Sequence, residues 1–305
     1  ILSGVWNGRT TGTPICLTIP NADVRNADYD YGPARPSHAD YTAYCKYHGW
    51  EDYRGGGHFS GRVTAALVAA GGILIPALEQ LNIRIGTHIL CCAGEYDRSF
   101  ESLPEDLERL QTKESPVLDD SAWDRMKEKI LQAKGEGDSV GGVTQTAVCG
   151  LPAGLGEPWF DSVESMLSHA LFSIGGIKGV EFGDGFDLAA GRGSICNDEW
   201  AWNGKKAVTR TNHNGGILGG ITSGMPVLFR CAVKPTPSIA KAQRTVNFLR
   251  HTEETVTLRG RHDPAIVRRI CPVLDSVTAL VLCDLLAQRF GTDVLTKGVL
   301  ECVTD

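Results

Sequence analysis

Two short stretches combine the residue types of proton transfer and anion binding. In "ARPSHADYTAYCKYHG", His38 is flanked by Arg35 and Asp40; in "GRHDP", His262 lies between Arg261 and Asp263. An imidazole exchanges a proton near neutral pH, a guanidinium grips phosphate or carboxylate as a planar fork, and an aspartate accepts a proton or orients a partner. His48, His88, His169, His213 and His251 have no such company and read as structural. A third stretch, "YRGGGHFSGRVTAALVAAGG" from Tyr53 to Gly72, sets His58, Ser60 and Arg62 beside three consecutive glycines. Glycine admits positive φ and lets main-chain N–H groups approach a ligand. If Ser60 caps the apolar helix that follows, the helix N-terminus adds partial positive charge at the same spot. The stretch is neither a Walker loop nor a dinucleotide fingerprint, because no Gly-Lys-Ser/Thr follows and the glycine spacing fails. More glycine is crowded into "SIGGIKGVEFGDGF" and "NHNGGILGGITSGMP", and the Pro-rich turn of "VKPTPSIAKAQ" holds Lys234. These loops suit an anionic small molecule and a flat cofactor, without naming a reaction.

The elements that must position these groups are partly legible. "SAWDRMKEKILQAKGEG" predicts a helix with Ser121 as N-cap, Trp123, Met126 and Ile130 on one face, and a close at Gly135. "FDSVESMLSHALFSIGG" predicts another, with Asp161 and Glu164 as a capping pair. "CPVLDSVTALVLCDLLAQRFG" is apolar nearly all round and predicts a core helix ending at Gly291. The run after Ser60 is a fourth candidate, weakened by Gly71–Gly72 and Pro76. "GTPICLTI", "VTQTAVCGL", "PVLFRCAV" and "TVTLRG" predict short strands. The acidic stretch Glu95–Asp124 reads as a solvated surface excursion. Strands and helices mix without βαβα alternation, repeat or linker, so one α+β domain over 1–305 is expected.

A net charge of −6 argues against nonspecific nucleic-acid binding. Ten cysteines without any C-x-x-C pair read as buried free thiols in a reducing compartment rather than a zinc or redox centre. No apolar run is expected to reach the roughly 18 residues of a membrane span. The opening "ILSGVWNG" lacks the features of a secretory signal and reads as starting within a longer sequence.

Six ordered words, "RPSHADYTAYCKYHGWEDYRGGG", "GLPAGLGEPWFD", "IKGVEFGDGF", "NGGILGGITSGMP", "KPTPSIAKAQRTV" and "GRHDP", closely resemble chorismate synthase. The resemblance runs from Ile1 to the C-terminal helix. It implies a β–α–β sandwich of antiparallel sheets around a helical layer, assembled as a cytoplasmic homotetramer. It implies a lyase that turns 5-enolpyruvylshikimate 3-phosphate into chorismate and phosphate by 1,4-elimination, with reduced FMN and no net redox change. The family is associated with NADP, and an external flavin reductant is expected because no further reductase domain is evident.

By the same resemblance His38, Ser60 and Asp263 are catalytic: a proton donor to the flavin, a relay serine, and an aspartate that helps deprotonate flavin N5. Arg35, Arg62 and Arg261 would contact substrate. His58, Phe59, Ser60, Gly175, Gly176, Gly219 and Arg261 would contact flavin, and Lys234, Pro235, Thr236, Pro237 and Ser238 would form its phosphate loop. His58-Phe59 stands where the family has Arg-Ser, and Gly175–Gly176 where it has Asn-Ala, so altered flavin contacts are expected. The family's opening "GESHG" histidine and arginine-rich stretch are not in this sequence; a protein truly starting at Ile1 is expected to turn over little. The alternatives are a noncatalytic flavin- or anion-binding remnant of this fold and a flavin oxidoreductase; the second lacks a nicotinamide-binding fingerprint.

Overall fold

The computed structural model describes residues 1–22, 30–258 and 262–295. Its helices are α1 (Asp40–Tyr47), α2 (Ala65–Gln80), α3 (Leu103–Thr112), α4 (Asp120–Gly135), α5 (Val163–Phe172), the single turn α6 (Gly193–Cys196) and α7 (Val267–Phe290). Two-stranded antiparallel pairs are formed by β1 (Val5–Trp6) with β2 (Arg9–Thr10), β7 (Trp200–Trp202) with β8 (Ala207–Thr209), β9 (Ile217–Leu218) with β10 (Ile221–Thr222), and β12 (Gln243–Asn247) with β13 (Thr252–Val256). The main sheet is antiparallel throughout, in the order β4 (Glu95–Tyr96), β3 (Arg84–Cys92), β5 (Gly142–Cys149), β11 (Val227–Val233), β6 (Ile177–Phe182). This is the α+β class that the mixed pattern predicts.

β3 is buried along Ile85–Cys92 because both of its faces are covered. A Cβ on Gly86 would sit 2.6 Å from Leu107 of α3, while neighbouring Thr87 faces α7 and donates to Asp275 at 2.6 Å. Alternate residues of a strand point to opposite faces, so a doubly covered strand shows no polar–apolar alternation in its sequence. α7 is the core helix expected, ending at Gly291 with φ of 86°, and it packs on β3, β5, α2 and α5. α2 forms despite Pro76 and its glycine pair, and Gly71 is what lets it approach α7: a Cβ there would lie 2.8 Å from Ser276 Cα.

Several expectations are corrected. Asp119, not Ser121, caps α4, accepting from the Ser121 N–H at 3.0 Å, and Glu136 follows its last turn. Ser162, not the Asp161–Glu164 pair, caps α5 through the Ser165 N–H at 3.1 Å. "GTPICLTI" makes no strand beyond an isolated Ser3–Cys16 bridge, because nothing else pairs with it among the described residues. "TVTLRG" contributes only its first two residues to β13. The acidic stretch is not a solvated excursion: it folds into α3 and buries Asp97, Asp106, Val117 and Leu118. His88 is fully buried between Asp97 and Gln145 at 3.0 Å each, company the sequence did not reveal. Cys91, Cys92, Cys231, Cys271 and Cys283 are buried thiols as expected, but Cys16 and Cys45 are exposed. Gly61–Gln80 and Val267–Phe290 are, by length and composition, apolar enough to cross a membrane, contrary to expectation; the second is 72% buried within the fold.

The Asp275 carboxyl illustrates what that burial does. Desolvation pushes its pKa up to about 7, offset only in part by the Thr87 hydroxyl. The fold therefore holds this proton up to near neutrality, whereas the unfolded chain releases it near the ordinary 3.8. Stability from this group is full below the lower value and declines as pH rises to the upper one. Asp275→Asn is expected to flatten that decline, with the gain in Tm over wild type growing from pH 5 to pH 8 in thermal melts. An equal Tm difference across that range would refute the assignment.

Candidate active site

The Arg35–Asp40 turn is built around one carboxylate. Asp40, the first residue of α1, accepts from the Arg35 backbone N–H and Arg35 Nε at 2.8 Å each, and from Arg35 Nη2 at 2.6 Å. His38 Nδ1 lies 3.1 Å from Asp40 Oδ1 and 3.0 Å from Arg35 Nη2. Burial by itself would raise the Asp40 pKa, but the hydrogen bonds from Arg35 and His38 and the Arg35 charge outweigh it and hold the carboxyl well below its usual range.

Distant segments clamp this turn before its start and at its centre. Before it, Pro33 bridges to Asn247, and the Ala34 N–H donates to the Val246 carbonyl of β12 at 3.0 Å. At its centre, Lys234 Nζ donates to the Ser37 carbonyl at 2.7 Å, although 197 positions separate the two residues. Ser37 has φ of 60°, a left-handed conformation that a non-glycine residue keeps only when its surroundings impose it.

The glycine run of the 53–72 stretch folds as a 3₁₀ turn over Arg54–Phe59, with φ of 81° at Gly56 and 54° at Gly57. A Cβ on Gly56 would sit 3.6 Å from Ser60 Cβ and 3.9 Å from His38 Nε2, so this glycine keeps the space between histidine and serine open. Ser60 caps a second 3₁₀ turn, Gly61–Thr64, through the Arg62 N–H at 3.5 Å. It does not cap α2, which begins only at Ala65, so the expected helix N-terminus is not at Ser60. Arg62 donates to Asn21 at 2.8 Å. The His58 and Phe59 rings lie 4.8 Å apart, tilted by 51°, and Tyr47 packs edge-on to His58.

The Lys234–Ser238 loop joins this cluster to Gly176. The Lys234 N–H donates to the Gly176 carbonyl at 2.9 Å, and a Cβ on Gly176 would meet Ile266 at 3.0 Å, three residues beyond Asp263. Gly175 and Gly219 have no atom within 4 Å of a built Cβ, and Gly219 has φ of 62°. The Thr236 hydroxyl is buried without a hydrogen-bond partner among the described residues. Burial and the Lys178 charge depress the Lys234 pKa, a penalty that a bound anion would relieve. An orphaned buried hydroxyl two residues along the loop from a lysine whose charge is disfavoured fits a phosphate-bearing group.

Asp263 is engaged elsewhere: its Oδ1 accepts from the Ala265 N–H at 3.1 Å and its Oδ2 pairs with Arg269 Nε at 2.7 Å. It also lines a cavity of about 600 Å³ between α3, α4 and α7, which none of His38, Ser60, Arg62 and Lys234 lines. Arg261 lies outside the described residues. The sequence reading missed the Ser139–Gly141 bridge. The Ser139 hydroxyl donates to the Thr236 carbonyl at 2.7 Å, the Val140 N–H donates to Pro264 at 2.8 Å, and Gly141 lies against Pro235. The Gly141–Gly142 doublet was its one available signal.

The family model for chorismate synthase matches residues 1–287. The chain belongs to the chorismate synthase family. Chorismate synthase of Pyrococcus abyssi is 46% identical over 292 residues, covering 95% of this chain and 81% of the relative. That of Thermococcus kodakarensis is 45% identical over 292 residues, with the same coverage of both. A solved structure, "Crystal Structure of Chorismate Synthase", matches with a TM-score of 0.76 at 29% identity, over 99% of this chain and 82% of that one. Membership of the chorismate synthase family makes the chain a carbon–oxygen lyase of aromatic amino-acid biosynthesis.

Proposed function

We propose that this chain converts 5-enolpyruvylshikimate 3-phosphate to chorismate and phosphate where the Arg35–Asp40 turn, the 54–62 turn and the 234–238 loop meet. The observation that carries the reading is the Lys234–Ser37 hydrogen bond, which draws the candidate phosphate loop onto the histidine turn.

The reaction breaks the carbon–oxygen bond to phosphate and an unactivated C–H bond, leaving a new double bond in the ring. Reduced FMN, when bound, would supply electron density to the breaking carbon–oxygen bond. Lys234, with Pro235, Thr236, Pro237 and Ser238, holds the FMN phosphate. Gly175, Gly176 and Gly219 let the cofactor lie against bare main chain. Arg35, Arg62 and Arg261 bind the anionic substrate through charge-assisted hydrogen bonds. His38 delivers a proton from Nε2, Ser60 relays through its hydroxyl, and Asp263 accepts a proton once Arg269 yields its carboxylate. The same reading carries a cytoplasmic homotetramer of single-domain chains, supplied by an external flavin reductant.

Anaerobic protein with reduced FMN and substrate is expected to release phosphate and chorismate in equal amounts without consuming reductant. Reductant oxidised in step with product, or no product, overturns the reading. His58 and Phe59 form the aromatic edge of the site, and Phe59 is 42% exposed, open to stack on a planar ring. A stacked aromatic pair contributes about 0.5–1.5 kcal/mol. Phe59→Ala is therefore expected to weaken FMN binding about 2–10-fold in a fluorescence titration. Unchanged affinity would remove Phe59 from the site.

A further inference from the structure

We propose that Asp40 is a positioning residue for the elimination, fixing the His38 ring so that Nδ1 carries a hydrogen toward the carboxylate and Nε2 is the nitrogen that exchanges protons beside Ser60. The proposal rests on the assignment of His38 to the reaction.

Asp40 is the one acceptor on which the turn converges, taking three bonds from Arg35 and lying within reach of His38. Its side chain and that of His38 are only 18% and 16% exposed, so water competes weakly for these bonds. Nδ1 lies almost equally far from two groups of opposite character. Arg35 Nη2 can only donate, and the Asp40 carboxylate can only accept. The guanidinium is committed to that carboxylate by two charge-assisted bonds, at 2.6 and 2.8 Å. A hydrogen on Nδ1 adds another such bond to Oδ1, and the anionic acceptor offsets the charge when the ring is a cation. When Nε2 gives up its proton, the Nδ1 hydrogen stays with Asp40 and the ring keeps its orientation. A built Cβ on Gly56 would lie 3.8 Å from His38 Cε1, 3.9 Å from Nε2 and 3.6 Å from Ser60 Cβ, so the ring edge opposite Asp40 and Ser60 flank the same glycine.

The neutral near-isostere Asp40→Asn tests this. The Arg35 backbone N–H and Nε retain the amide oxygen in place of Oδ2, so the amide NH₂ replaces Oδ1, costs Arg35 Nη2 its acceptor, faces Nδ1 and forces the hydrogen onto Nε2. The expected loss in kcat is about 10–100-fold, the scale on which outer-shell partners of a histidine act, with Asp40→Glu recovering part of it. Because Arg35 is also held by Asp40, KM for substrate is expected to rise as well. In a His38→Ala background, Asp40→Asn is expected to leave kcat unchanged while the KM effect persists; a further fall in kcat there would mark a merely structural role. ¹⁵N NMR of labelled histidine provides the direct readout: Nδ1 protonated in the wild-type chain, Nε2 protonated in Asp40→Asn. A wild-type His38 spectrum with bare Nδ1 overturns the proposal, even if the variant fails to fold. Failure of the reaction assignment is seen separately, as equal turnover by wild type and His38→Ala.

Discussion

Replacing His38 by alanine is expected to lower kcat by about 10²–10⁴-fold, the usual contribution of a positioned general acid or base. The reason lies in the site's construction. The turn that carries His38 is pinned by Asp40 from within and by Lys234 and β12 from outside, so alanine removes the imidazole while Arg35 and its carboxylate partner stay in place. Substrate and FMN affinities are expected to change far less than kcat. The measurement is anaerobic chorismate formation at saturating substrate and reduced FMN. A variant with wild-type kcat would leave the imidazole no part in proton transfer.

The second large effect concerns folding. Gly71→Ala is expected to destabilise the chain by about 1–3 kcal/mol, the cost of forcing an extra carbon into a packed interface. A Cβ at this position overlaps the Ser276 side chain and comes within 2.8 Å of its Cα, so α2 and α7 would have to separate. Ser276→Ala is not expected to rescue the variant, because the overlap extends to Cβ and the backbone; the hydroxyl itself is bonded to the Pro272 carbonyl at 2.7 Å. Gly72→Ala is the control. Nothing lies within 4 Å of its built Cβ, so relief of helical glycine is expected to stabilise by roughly 0.5–1 kcal/mol. Urea unfolding of both variants checks the pair, and equal effects at the two positions would refute the close approach of the helices.

Local chemistry made part of the fold legible. α7 is apolar on nearly every face and closes at Gly291, and both signals arise within a few turns of chain. β5 and β11 likewise appear as short runs bounded by turn residues. The errors arose where a competing group, adjacent in sequence or brought near by the fold, outweighed the expected one. Asp119 took the cap of α4 from Ser121 because its carboxylate reaches both the N–H and the hydroxyl of that serine. "GTPICLTI" has strand-like residues but, among the described residues, no strand partner beyond the Ser3–Cys16 bridge. The acidic stretch folds inward because Asp97 accepts from the Leu118 and Asp119 N–H groups and Asp106 pairs with Arg98.

The candidate site divides along the same line. The ordered words alone determined the family, and with it which histidine, serine, arginines and lysine to consider, since side-chain chemistry is written residue by residue. Tertiary structure alone decided that Lys234 reaches Ser37 and that β12 braces Ala34. These relations join segments up to 197 positions apart. No local propensity encodes them: they exist only once burial of the core has brought the loops together.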